Sequence, residues 1–121
     1  MTRRIYGILP WGLIGLGVLH ASATFRFYHA PSSAALWFFN GGLLMILGGA
    51  VNLLNRAYGA LAPGVRWVCR ATNVALLGVS AAMAIVTHPG LWSTMFVLGL
   101  VGGLLLLSWL PPVTRSGTGG R

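Results

Sequence analysis

Residues 36–55 read LWFFNGGLLMILGGAVNLLN, an apolar run without a charged side chain. Its length is close to the roughly 20 residues that an α-helix needs to cross the hydrocarbon core of a bilayer. The bilayer core offers no water to unpaired backbone groups, so a spanning segment of this length has to be helical. The stretch therefore predicts a transmembrane helix, and it sets the fold class for the rest of the chain.

Three further apolar runs of similar length accompany this one, over about residues 5–25, 67–87 and 91–110. Proline and glycine separate consecutive runs, as expected between helices that do not continue into one another. We therefore expect an all-α polytopic membrane protein, an antiparallel four-transmembrane-helix bundle in a single domain over residues 1–112. Residues 113–121 are polar and glycine-rich, and we predict a disordered cytoplasmic tail there.

The charged residues indicate an orientation. The sequence has eight basic residues, all of them arginine, and no Asp or Glu. Under the predicted topology only Arg26 lies on one side of the membrane; the other side holds Arg3, Arg4, Arg56, Arg66, Arg70, Arg115 and Arg121. This bias predicts that both ends of the chain are cytoplasmic.

The arginines also indicate what they bind. They are dispersed between the spans and form no basic face, so we expect no nucleic-acid partner. We expect Arg26, Arg56, Arg66 and Arg70 to contact lipid headgroups instead. Arginine without lysine, in a chain rich in alanine and glycine, is typical of a GC-rich bacterial genome, so we expect the bacterial inner membrane.

The beginning of the chain allows a competing interpretation. Basic residues, an apolar run and then Ala21-Ser22-Ala23 resemble a signal peptide with its cleavage site. However, Pro10 and several glycines interrupt the apolar run, and His20 lies close to the site. Cleavage would also weaken the asymmetry of the arginines, so we predict that the first span is retained.

Small and polar residues recur at helical spacing in the predicted spans, most clearly in the second. Small residues let helix backbones approach closely in membranes, and asparagine side chains hydrogen-bond across helices. The predicted helix-packing residues are Gly41, Gly48, Asn52, Asn55, Asn73, Gly99 and Gly103. We expect these contacts to form within one chain; the alternative is that Gly99 and Gly103 form a homodimer or partner interface.

The absence of carboxylates excludes several kinds of chemistry. Carboxylate-based proton coupling, paired-acid hydrolysis and acidic metal sites all need Asp or Glu. These exclusions favour a non-enzymatic protein and leave open an activity based on histidine or on a cofactor. Transport is the weakest hypothesis because nothing supplies ion coupling.

His20 is the only acidic or basic residue well inside a predicted span, which makes it a candidate functional residue. In one interpretation it is neutral and hydrogen-bonds a neighbouring group. In another, His20 and His88 bind haem or a soft metal, since imidazole suits both. In a third, His20 holds a quinone, a lipid or another small ligand.

Two short motifs carry a family resemblance. Gly17-Val18-Leu19-His20 lies late in the first span, and Trp37-Phe38-Phe39-Asn40 opens the second and is followed by glycines. With these motifs the chain resembles small uncharacterised bacterial four-helix integral membrane proteins. The resemblance covers the four spans and not the tail, and it implies no activity, cofactor or catalytic residue.

We therefore expect a small integral membrane protein with a structural or accessory role, in a homo-oligomer or a larger membrane complex. The alternative is a cofactor- or ligand-binding membrane bundle that uses His20 and His88. The expected partners are the lipid bilayer and either another copy of the chain or a different membrane protein. Because the chain has no acidic residue, any ion pair with such a protein needs a carboxylate from the partner.

Overall fold

The computed structural model of the protein contains four α-helices. It describes residues 2–87 and 90–110, and each regular element within them is α-helical. The helices are α1, Thr2–Phe27; α2, Ser33–Tyr58; α3, Pro63–Thr87; and α4, Leu91–Trp109. All four are long and apolar enough to cross a membrane, which suggests a multi-pass membrane protein. The predicted all-α class with four apolar helices is confirmed, while the predicted tail lies outside the described residues.

The helices α2 and α3 begin before their predicted spans because local signals fix where they start. The Ser32 hydroxyl accepts a hydrogen bond from the Ala35 backbone N–H at 3.1 Å, and this N-cap starts α2 at Ser33. Helix α3 starts at Pro63, whose fixed φ and missing N–H suit the first position of a helix. The cap and the proline thus determine where α2 and α3 begin, and the apolar runs determine only the central parts of these helices.

Neighbouring helices meet in opposite sequence order. A Cβ atom placed on Gly42 of α2 would lie 2.6 Å from the Ala21 backbone nitrogen of α1. Further along α2, Asn52 bonds to Tyr6, which lies earlier in α1. The hydrogen bonds between α3 and α4 reverse in the same way.

The apolar core is small and is shared by three helices. Leu13 of α1 and Leu76 of α3 pack with Val101 and Leu104 of α4, and all four side chains are buried. Many large apolar side chains point outward instead, as expected for a protein surrounded by lipid. Trp37, in the second turn of α2, is 75% exposed.

Candidate functional site

Two fully buried asparagines form the centre of the candidate site. The Asn52 side-chain nitrogen donates to Asn73 Oδ1 at 2.7 Å, and the Asn73 side-chain nitrogen donates to Asn52 Oδ1 at 3.1 Å. Both side chains have 0% exposure. Since Asn52 is on α2 and Asn73 is on α3, this reciprocal amide pair connects the two helices in the interior.

Tyr6, Asn55 and Cys69 extend this pair into a five-residue group. The Tyr6 hydroxyl donates to Asn52 Oδ1 at 3.3 Å and accepts a bond from the Asn55 side-chain nitrogen at 2.7 Å. The Cys69 thiol donates to Asn52 Oδ1 at 3.3 Å and lies 3.9 Å from the Tyr6 hydroxyl. We call the group the polar cluster; it consists of Tyr6, Asn52, Asn55, Cys69 and Asn73.

Backbone carbonyls complete the polar cluster. The Asn52 side chain donates to the Gly48 carbonyl of its own helix at 2.8 Å. The Asn73 side chain donates to the Leu104 carbonyl at 3.4 Å, which adds α4 to the group. Among the described residues, the buried Asn55 Oδ1 has no hydrogen-bond partner. The cluster therefore connects all four helices and leaves one acceptor free.

The composition of the polar cluster limits what it can do chemically. Amides supply donors and acceptors but no proton-transfer group near neutral pH. A nucleophilic cysteine needs to be a thiolate, which a neighbouring base or cation promotes. The side chains bonded to Cys69 are a phenol and two amides, and the thiol is fully buried. This arrangement favours helix packing over catalysis.

His20 lies at the opposite end of the helices from the polar cluster. Its imidazole ring stacks on the Phe38 ring, with centroids 3.9 Å apart and planes 18° from parallel. A Cβ placed on Gly41 would lie 3.2 Å from His20 Nε2, so this nitrogen faces the backbone of α2. His88, the predicted second ligand, lies outside the described residues. Within residues 2–87 and 90–110, no group of three or more His, Cys, Asp or Glu side chains lies close enough together to hold a metal ion.

Arg70 has the most specific surroundings of the arginines that we assigned to lipid headgroups. Its guanidinium carbon lies 4.4 Å from the Trp109 ring centroid and 5.5 Å from that of Trp67. Its Nε atom also donates to the Ser108 carbonyl at 3.3 Å. These contacts fix the side chain between α3 and α4.

The other three arginines assigned to headgroups have simpler surroundings. Arg26 is exposed in the last turn of α1. The Arg56 guanidinium lies beside Gly7, where a Cβ would approach its Cζ to 3.0 Å, and Arg66 packs beside Gly59. No carboxylate side chain exists in the sequence to neutralise any of them.

The predicted packing glycines occupy different environments. Gly48 is buried against Leu76, and Gly41 lies beside His20. A Cβ on Gly103 would lie 3.6 Å from Leu9 Cδ1, an ordinary contact distance. Gly99 is exposed, and a Cβ there would meet open space, so it contributes no packing within the described chain.

The predicted packing residues do not include the tight contact that glycines make between α1 and α2. A Cβ on Gly17 would lie 2.6 Å from the Gly42 carbonyl oxygen, and Gly49 is equally tight against α1. Gly42 and Gly49 are seven residues apart, the spacing of one helix face, and this repeat was the available signal. Gly41 and Gly48 show the same seven-residue spacing one position earlier, and the prediction used that pair instead.

Sequence reasoning also missed two members of the polar cluster as site residues. In the sequence, Tyr6 lies near the beginning of the first apolar run, where aromatic residues often mark the membrane interface, and Cys69 is a single cysteine with no pairing partner. Tyr6 lies 46 positions from Asn52 in the chain, and Cys69 lies 17 positions from it. No local sequence pattern therefore indicates these bonds. Comparison with known proteins adds no further constraint, because no protein-family model, curated protein or solved structure matches the chain.

Proposed function

We propose that the chain is a non-enzymatic integral membrane protein that forms an antiparallel four-helix bundle with a structural or accessory role. The observation that carries this proposal is the polar cluster. Its amides, phenol and thiol bond to one another and to backbone carbonyls, so the interior polarity serves helix association. A homo-oligomer or a larger membrane complex would use the outward surfaces of the helices.

The proposed location is the bacterial inner membrane, with both ends of the chain in the cytoplasm. The support is the seven-to-one distribution of arginines between the two sides. Reporter fusions placed after Arg121 test the orientation. A cytoplasmic reporter signal is expected, and a periplasmic one would overturn it.

The alternative function is a ligand-binding bundle that uses His20, with His88 as a second ligand, for haem, a metal, a quinone or a lipid. A half-buried imidazole within α1 is the feature in its favour. Against it, one face of the ring is covered by Phe38 and Nε2 faces the Gly41 backbone. An axial ligand needs a ring nitrogen directed at the metal, and this position of Nε2 favours packing instead.

Native mass spectrometry of the protein, extracted gently from its own membrane, tests the two functions. We expect multiples of the 12.8 kDa chain, or a larger particle with other subunits. A particle carrying a stoichiometric small molecule that His20→Ala removes would reject the structural role. Ser22→Ala is the control, because it removes an exposed polar side chain two positions from His20 on the same helix.

A further inference from the structure

Asn40 carries a polar side chain in an apolar part of α2. It lies four residues, roughly 6 Å along the helix axis, inside the predicted span 36–55. Its side chain is half-buried and makes no hydrogen bond to another residue in 2–87 or 90–110. Asn52 on the same helix differs, because it donates to the Gly48 carbonyl and pairs with Asn73. Asn40 therefore keeps an unpaired amide within the proposed membrane span.

This amide lies on the side of α2 that the other described helices leave open. Its neighbours on the helix surface, one turn before it and one and two turns after it, are Leu36, Leu43 and Leu47, and all three are exposed. An amide has two donor hydrogens and an acceptor oxygen, and hydrocarbon supplies a partner for neither. Asparagine in membrane helices bonds to groups on other helices. We therefore expect a polar group of another molecule beside Asn40.

The residues around Asn40 form a regular stripe along the outward side of α2. Exposed or half-buried side chains recur there at alternating spacings of four and three residues, and they are Leu36, Asn40, Leu43, Leu47, Ala50 and Leu54. We call them the α2 outer stripe. This heptad spacing is that of helices that wrap around each other, and a single asparagine in such a seam fixes the register of the two helices. The stripe therefore suits a second helix.

The partner that fits the α2 outer stripe is a second copy of the chain. Copies inserted in the same direction are related by a two-fold axis along the membrane normal, and at that axis each residue meets its own counterpart at the same depth. Asparagine supplies both a donor and an acceptor, so two Asn40 side chains can exchange two hydrogen bonds. Asn52 and Asn73 form such a reciprocal pair in the interior. No charged residue of α2 precedes Arg56, so the arginines of two copies do not oppose each other along the stripe.

We propose that the α2 outer stripe joins two copies of the chain into a parallel dimer, with the two Asn40 side chains hydrogen-bonded to each other. The inference rests on the membrane insertion proposed above and names the surface of the homo-oligomer. The interface considered from the sequence, Gly99 and Gly103 on α4, has less support, because a Cβ on Gly103 would contact Leu9 of the same chain. Of that pair, Gly99 alone is exposed.

Disulfide cross-linking of the full chain in vesicles tests the interface. In a Cys69→Ala background, Leu47→Cys places one thiol in the α2 outer stripe. Val74→Cys is the matched control, because Val74 is exposed on α3 and lies at a similar depth, where Leu76 packs against Gly48. A disulfide needs Cα atoms within about 7 Å, so we expect Leu47→Cys to form a dimer of twice the 12.8 kDa chain at least about tenfold faster than the control does. Equal rates would overturn the proposal.

Rival interfaces give different cross-linking patterns. Leu106→Cys reports on the surface of α4 around Gly99, because Leu106 is exposed seven residues further along that helix. Cross-linking there instead of at Leu47→Cys would assign the dimer to α4. In native membranes, cross-linking of Leu47→Cys to a different protein would assign the stripe to that protein. Either result would overturn the proposal.

Variants of Asn40 test the amide pair. Energy transfer between chains labelled at Ala60→Cys, in the same Cys69→Ala background, measures their association in vesicles. Asn40→Leu keeps the stripe apolar and should weaken association by about three- to twentyfold, the effect of a hydrogen bond between membrane helices. Asn40→Gln keeps the amide and should retain most of the association. Unchanged association of Asn40→Leu would contradict the pair.

Unfolding in excess detergent separates the dimer from the fold. The chains are monomeric there, and the Asn40 side chain makes no hydrogen bond within the described part of the chain. Asn40→Leu should therefore unfold at the same temperature as the parent. A clearly lower temperature would show that Asn40 acts within one chain, and it would overturn the proposal.

Alkaline extraction of the same vesicles distinguishes the inference from the proposed function. A chain that stays in the vesicles but does not cross-link through the α2 outer stripe overturns the dimer alone. A chain that alkali extracts overturns both the membrane insertion and the dimer that depends on it.

Discussion

Asn52 and Asn73 are bonded to each other twice, side chain to side chain, in the interior between α2 and α3. Each asparagine also bonds to a backbone carbonyl, Asn52 to Gly48 and Asn73 to Leu104. Removing one partner leaves the other amide buried with unmade bonds, whereas replacing both with apolar side chains removes the polar groups altogether. The two asparagines should therefore behave as a unit.

A double-mutant cycle measures this coupling. We expect Asn73→Leu alone to lower the free energy of unfolding in micelles by about 1–2 kcal/mol, because it leaves Asn52 without its main partner. Asn52→Leu should cost a similar amount, and the double variant should lose less than the sum of both. The matched control is Asn40→Leu on α2, whose side chain makes no hydrogen bond to another residue in 2–87 or 90–110, and it should change stability by less than about 0.5 kcal/mol. Strict additivity would contradict the coupling.

The contact between α1 and α2 predicts a large effect of a single methyl group. A Cβ on Gly42 would lie 2.6 Å from both the Ala21 nitrogen and the Gly17 carbonyl oxygen. Gly42→Ala must push the helices apart, and we expect a loss of about 1–3 kcal/mol. Thermal unfolding in detergent, followed by circular dichroism, measures it.

The control for Gly42→Ala is the same substitution at Gly78. A Cβ there meets open space within the described chain, and alanine has the higher helix propensity. Gly78→Ala should therefore be neutral or slightly stabilising. Equal destabilisation by both variants would show that the tight contact is not the cause.

Cys69 offers a chemical probe of the polar cluster. Its side chain has 0% exposure, so alkylation by a maleimide requires the helices to open locally. We expect the native protein in micelles to react at least about tenfold more slowly than the denatured chain, the effect of roughly 1.4 kcal/mol of opening free energy. Asn52→Leu should speed the reaction, because it removes a bond to the thiol.

A thiol at an exposed position provides the reference rate. The variant Cys69→Ala/Ala60→Cys moves the cysteine to the exposed turn that follows α2. Its reaction should be as fast before denaturation as after it. A native Cys69 that reacts as fast as this reference thiol would be inconsistent with a buried cluster.

Arg70 should contribute more stability than its neighbour Arg66. Its guanidinium contacts the rings of Trp67 and Trp109, and cation–π contacts contribute about 0.5–2 kcal/mol according to their burial. We expect Arg70→Gln to lower the free energy of unfolding by about this amount and to change the tryptophan fluorescence. Arg70→Lys should restore part of it, since the charge remains but the planar group is lost.

Arg66→Gln is the comparison, because this arginine stacks on no ring recorded in the described part of the chain. It removes the same charge from the same helix. If it costs as much stability as Arg70→Gln, general electrostatics rather than the contacts with Trp67 and Trp109 would explain the effect.

The helices were predictable from the sequence because each depends on local information. Residues 36–55 are apolar over one bilayer thickness, and the observed helix α2, Ser33–Tyr58, contains them. The three extra residues at its beginning depend on the side-chain cap at Ser32, a signal that is weak beside twenty apolar residues. The observed helix ends therefore differ from the predicted ones by a few residues, while the number of helices and their places in the chain agree.

The candidate site was predictable only in part, because its contacts are long-range. Asparagine in an apolar helix is costly unless bonded, and this rule singled out Asn52 and Asn73. The rule does not say which group bonds to them, and Tyr6 lies 46 residues from Asn52. The sequence analysis also predicted only one packing face on α2, whereas the helix has two. It packs against α1 through Gly42 and against α3 through Gly48.

The way α4 is attached has a consequence for motion. Its hydrogen bonds from α3 reach the carbonyls of Leu104 and Ser108, both in its second half. Its buried residues begin only at Val101, while Trp92 near its start is 86% exposed. Segments with few buried contacts open at low free-energy cost. The amplitude of microsecond motion should therefore grow from Ser108 back toward Leu91, with the helix swinging about its own C-terminal half.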